Sequence, residues 1–132
     1  MDIKERYKEA KFLENKVDRL KEELESLGVD ISAIDTTKDA VQTSNKSDLS
    51  DKVLKINDLL ENIEECLHKI VDYKKYVKKL LDKITDENEY NIMFYKYIMF
   101  MRSEEIAVKM HYSKRRVDQI HGHVLQKLRK IS

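Results

Sequence analysis

Apolar residues recur at helical spacing along most of the chain, and the places where the spacing breaks divide it into segments. Leu13, Val17, Leu20, Leu24 and Leu27 step by four and three, and Tyr7 and Ala10 extend the stripe backwards. This 3.5-residue period predicts a helix from about Asp2 to Leu27 that packs along another helix, with Gly28 as the residue after its C-terminus. The period is then lost. Residues 29–48, VDISAIDTTKDAVQTSNKSD, are rich in Ser, Thr and Asp, and are expected to form a long mobile connection with one short helical turn near Ile31 to Ile34.

The strongest pattern follows. Leu49, Val53, Ile56, Leu60, Ile63, Leu67, Ile70, Lys74, Val77, Leu81 and Ile84 alternate steps of four and three without interruption, and only Lys74 is polar. Leu59, Cys66, Tyr73 and Leu80 repeat every seven residues beside that stripe and widen it to a face that touches more than one neighbour. Such a helix would be about 54 Å long at ~1.5 Å per residue. The first helix is too short to cover it, so part of the seam from Leu49 to Ile84 is expected to meet a second copy of the chain, most simply as a homodimer. Thr85 or Asp86 can cap a third helix, Glu87 to about Met101, whose Tyr90, Met93, Phe94, Tyr97, Ile98 and Met101 share one face.

Beyond it, Ser103 to Gly122, SEEIAVKMHYSKRRVDQIHG, fits the helix-turn-helix template. Two short helices that cross closely need apolar residues at positions four, eight, ten, fifteen and eighteen of such a unit, and a small one at position five. Ile106, Met110, Tyr112, Val117, Ile120 and Ala107 meet all six requirements. Position nine, in the turn, favours Gly because the backbone there turns left-handed. Here it is His111, a residue type enriched at positive φ. Ser103 and Ser113 stand where each helix should be capped, and neither is expected to complete a capping box.

On a helical wheel Val117, Ile120, Val124 and Leu128 fall within about 80° of one another, with His121 beside them. The opposite side carries Arg115, Gln119, Gly122 and Gln126, flanked by Arg116, His123 and Lys130. Arg can donate two hydrogen bonds to a guanine edge and Gln can pair with adenine, while off-centre Lys and Arg neutralise phosphates. Lys114, Arg115 and Arg116 also sit in the first helical turn, where the dipole disfavours cations by some tenths of a kcal/mol each. A polyanion would offset that cost, and Asp118 can hold Arg115 or Lys114. Gly122 costs about 1 kcal/mol relative to Ala in a helix interior, which suggests that something approaches the backbone there. The candidate DNA-binding residues are therefore Ser113, Lys114, Arg115, Arg116, Gln119, His123 and Lys127.

Composition narrows the class. The chain has 132 residues, 39% of them charged, with two Gly and no Pro, so turn signals are too few for an all-β fold and an all-α protein is expected. No run of about 18 apolar residues offers a membrane span, and a cytoplasmic location is expected. Cys66 alone excludes an intramolecular disulfide and reads as a small core residue. Net charge is +1, but residues 101–132 hold eight Lys and Arg against three acids, a net +5 that leaves −4 on the remainder. A basic end on an acidic body is the footprint expected if only that end touches phosphate. His111, His121 and His123 lack carboxylate companions at ligand spacing, and no phosphate loop or nucleophile elbow occurs. Neither a metal or other cofactor nor an enzyme activity is expected.

The sequence RSEEIAVKMHYSKRRVDQIHGHVLQKLRKI resembles region 4 of bacterial sigma factors, and more closely the ArpU/RinA-like late-transcription regulators of phages and prophages. Tyr112-Ser113 precedes the second helix as in that group, and His121-Gly122 lies within it, followed by His123-Val124-Leu125 with Val where the group has Ala. The resemblance covers about residues 86–131. It implies a phage transcription regulator that binds double-stranded DNA, with RNA polymerase as a further candidate partner. Together with the periodicity, it gives as the expected architecture an N-terminal helical hairpin, residues 1–84, joined to a helix-turn-helix module, residues 85–132. A small-terminase-like packaging protein and a helical scaffold or anti-sigma-like module that binds protein are the alternatives.

Overall fold

A computed structural model describes residues 2–29 and 46–131, of which 46–49 by backbone alone. Among these residues there are five α-helices and no strand. Of the expected connection, residues 29–48, the part from Asp30 to Asn45 with its turn near Ile31 to Ile34 lies outside them; Val29 instead packs in a core, and Lys46 to Asp48 already belong to the second helix. The helices are α1 (Ile3–Ser26), α2 (Lys46–Leu81), α3 (Glu87–Tyr97), α4 (Ser103–Met110) and α5 (Lys114–Ile131). The fold is thus all-α, and no helix among the described residues is long and apolar enough to cross a membrane.

The chain divides into two compact units, Lys8–Val71 and a second made of Met1–Tyr7 with Asp72–Ser132. In the first, Val17, Leu20 and Leu24 of α1 and Val29 share a core with Ile56, Leu59, Ile63, Cys66 and Ile70 of α2. Gly28 closes α1 in a left-handed conformation, φ 83°. The N–H of Val29 reaches the carbonyl of Leu24 at 3.0 Å, and that of Gly28 the carbonyl of Glu25 at 2.9 Å. That pair of bonds satisfies carbonyls the helix end would otherwise leave open, and it tucks Val29 into the core.

The seam of α2 is used differently from the expectation. The buried line is Ile56, Leu59, Ile63, Cys66, Ile70, Tyr73 and Val77, so the Leu59–Cys66–Tyr73 row joins the core. Leu60 is only partly buried, while Leu67 and Val71 are 46% and 48% exposed. The physical reason is that a neighbouring helix covers one arc of α2, and that arc is centred between the two rows rather than on the longer one.

The second unit has its own core, and it includes the N-terminal end of α1 and the C-terminal end of α2. Tyr7 meets Tyr97 edge-on, with ring centroids 5.2 Å apart, and stacks on Phe100 at 5.8 Å, which in turn stacks on Tyr73 at 5.9 Å. The Tyr73 hydroxyl donates to the Tyr97 carbonyl at 2.8 Å. This cluster explains why the division falls at residues 71 and 72 rather than at 84 and 85, where periodicity alone suggested it. It also explains why α3 stops at Tyr97, four residues before the expected Met101. To stack between Tyr7 and Tyr73, Phe100 leaves helical geometry for φ 55°, a conformation that costs a non-glycine residue roughly 1–2 kcal/mol. Burial of a large aromatic side chain is worth at least as much. Asp86 caps the other end of α3, accepting from the Glu89 N–H at 3.0 Å.

Helices α3, α4 and α5 each pack on the other two. Ile92, Ile106, Ala107 and Val117 form the centre of that contact, with Tyr95, Met101, Met110, Tyr112 and Ile120 against it. Ile92 had no place in the expected face of α3. It is fully buried, as is Met93 beside it, because α3 is covered on two sides.

Candidate nucleic-acid interface

The surface that carries the candidate residues is built on the α4–α5 crossing. Ile106, Ala107, Met110, Tyr112, Val117 and Ile120 all belong to one apolar cluster, so the six spaced positions converge as close packing requires. Three residues separate the helices, and His111 makes the reversal at φ 60°, ψ 39°. Its N–H reaches the Val108 carbonyl at 3.4 Å, and the Tyr112 N–H reaches that of Ala107 at 2.9 Å.

The two helix starts differ. Ser113 caps α5, its hydroxyl oxygen accepting from the Arg116 N–H at 3.1 Å. For α4, Ser103 proves to be the first helical residue and Arg102 the cap. Glu105 reaches back, accepting from the Arg102 backbone N–H at 3.2 Å and from its Nε at 3.1 Å. The reciprocal carboxylate of a capping box is therefore present, one residue out of step with the expected position. Ser103 is freed for another role: its hydroxyl bonds to Asp118 on α5 and, with Lys114, holds that carboxyl below its usual range.

Helix α5 has a dry side and a wet one. Val117, Val124, Leu125 and Leu128 are buried. Arg115, Arg116, Gln119, Gly122, His123, Gln126, Lys127 and Lys130 are exposed. Leu125 stood outside the expected stripe; it is buried on a second apolar side of α5, where it lines a cleft of ≈ 140 Å³ with Ile3, Tyr76, Leu80 and Leu128, and with Asp2 and Arg129 at its edge. His121 is half-buried, its Nε2 2.6 Å from the Tyr97 hydroxyl. Burial, aided by Lys96 and Lys4, pushes its pKa down to about 4. The side chain is therefore neutral at physiological pH and joins α5 to α3.

The seven candidate residues are not equivalent. Lys114 lies 3.5 Å from Asp118 and 4.0 Å from Glu104. Lys127 donates to both carboxylate oxygens of Glu89 on α3, at 3.0 and 3.2 Å. Arg115 and Arg116 have no ion pair among the described residues. Arg116, Gln119 and His123 line one groove of ≈ 340 Å³, closed on its far side by Asp86, Asn88 and Glu89. Nothing lies within 4 Å of where a Gly122 side chain would project, so the backbone there is open to solvent.

Sequence reasoning missed Glu89 as the partner of Lys127. The two are 38 residues apart, and no local spacing could have joined them. The pairing of Lys114 with Asp118, by contrast, is an i, i+4 contact of the kind spacing predicts. Compared with protein-family models, curated proteins and solved structures, the chain matches none.

Proposed function

We propose that residues 85–132 act as a helix-turn-helix that binds double-stranded DNA, and that the protein is a transcription regulator of the sigma-region-4-like, phage late-regulator type. The observation that carries this reading is the coincidence of two faces on one short segment. The six template positions meet in a single cluster around a left-handed turn at His111, and the helix that follows exposes Arg115, Arg116 and Gln119 with, among the described residues, no carboxylate paired to either arginine.

On this reading α5 enters the major groove. Arg115, Arg116 and Gln119 face base edges, with His123 towards phosphate and the open backbone at Gly122 permitting close approach. Ser113 fixes the start of the helix. Lys114 reaches phosphate by exchanging its carboxylate partners for it, which costs little for exposed pairs, about 0–1 kcal/mol each; Lys127 is held more firmly, because its partner Glu89 is only 15% exposed. Arg102, bound to Glu105, stays outside the contact.

The test is retardation of a duplex selected by the protein from a random pool. Arg115→Ala with Arg116→Ala should abolish retardation while circular dichroism remains helical. Unchanged affinity in that variant would remove the assignment.

A further inference from the structure

Among the described residues, one flank of α2 is at most partly covered, with Leu60 at the edge of the core shared with α1, and it is symmetric about one point. Leu60, Glu64, Leu67, Val71, Lys74 and Lys78 follow one another at steps of four, three, four, three and four, so they form a single stripe along the helix. Leu67 and Val71 at its centre are 46% and 48% exposed. Glu64 is exposed, with His68 at 3.8 Å beside it, and the ammonium of Lys74 lies 5.7 Å over the Phe100 ring. Lys78 is exposed.

Charge is segregated to match. From Asn57 to His68 the helix carries Asp58, Glu61, Glu64 and Glu65 and no Lys or Arg; from Lys69 to Lys79 it carries five Lys against Asp72 alone. The first stretch is thus −4 and the second +4. A parallel copy in the same register would set acid on acid and lysine on lysine. An antiparallel copy sets each against its opposite.

We infer that α2 pairs with α2 of a second copy, antiparallel, about a two-fold axis at position 69. Every member of the stripe then meets its complement: Leu67 meets Val71 of the second copy, Glu64 meets Lys74, and the apolar stem of Lys78 covers Leu60. Because the axis is two-fold, each contact occurs twice, as an isologous interface demands. The apolar part is small, so the dimer is a reversible one, and its ion pairs set its orientation more than its strength. This pairing does not depend on the DNA reading.

The experiment is sedimentation velocity on the full chain from low to high micromolar concentration. The wild type is expected to show a monomer–dimer equilibrium. Glu64→Lys and Lys74→Glu singly should each weaken association about tenfold, since two attractive pairs become two repulsive ones. The double variant, Glu64→Lys with Lys74→Glu, should recover it. A wild-type chain that stays monomeric or forms a higher oligomer overturns the inference, and so does a double variant that fails to recover association.

Discussion

Gly122 shows at one residue how stability and binding can oppose each other. It lies in the interior of α5 on the exposed side, and a methyl group there would touch nothing. Gly122→Ala should therefore raise stability by about 1 kcal/mol through lower chain entropy in the unfolded state and better helix propensity, measured as a higher denaturation midpoint. If DNA approaches that backbone, the same change should weaken binding to the selected duplex severalfold, and a variant that is more stable and binds equally well would exclude close approach. His111 offers the reverse case. Its backbone sits at φ 60°, so His111→Gly should relieve roughly 0.5–1 kcal/mol of strain. A lower melting temperature would show that the imidazole contributes more than the turn costs.

Among the elements, α5 is held by contacts of very different character. The Lys127–Glu89 pair ties its C-terminal half to α3 at 3.0 Å, and the Glu89 side chain is only 15% exposed. If the pair persists on DNA, Lys127→Ala should leave the salt dependence of binding nearly unchanged, whereas a lysine on phosphate contributes about 0.9 to the slope of log affinity against log salt. Glu89→Gln should release Lys127 and steepen that slope by about one. A slope that drops by about one in Lys127→Ala alone would place this lysine on phosphate instead.

The His121–Tyr97 contact adds a pH dependence. With the His121 pKa at about 4 in the folded chain against the usual 6.5, the unfolded chain binds the extra proton first, so stability rises with pH between those values. The contribution is complete above about pH 6.5 and is lost as pH falls towards 4. Denaturant midpoints of the wild type and of His121→Gln across that window should diverge at high pH and converge at low pH. Parallel curves would mean that His121 titrates normally.

The same elements show which features the chain states locally. The capping of α1 by Gly28, of α3 by Asp86 and of α5 by Ser113 depends on neighbours within a few residues, as does the convergence of Ile106, Ala107 and Val117. All of these are legible in residue spacing. The early end of α3 is not, because it follows from Phe100 stacking between Tyr7 and Tyr73, residues far apart in sequence. The choice between the two rows of α2 is set by where α1 lies, and the Lys127–Glu89 pair by how α3 meets α5. Periodicity names the apolar residues of a helix but not which arc its neighbour covers.

At the scale of the whole molecule, charge and connectivity separate two tasks. The last 32 residues carry a net +5 and the rest −4, a distribution that, on the proposed function, would direct a polyanion to the α4–α5 crossing. An antiparallel α2 pair would give two such modules per assembly, and a two-fold protein reads a symmetric site best. The central claim, however, concerns a single module. It is tested most directly by equilibrium binding of a selected duplex and an unrelated one at about 50 and 200 mM salt. The account predicts that affinity for both falls steeply with salt, that the selected duplex stays tighter at each concentration, and that Arg115→Ala with Arg116→Ala removes the difference. Equal, salt-insensitive affinity for the two duplexes would contradict it.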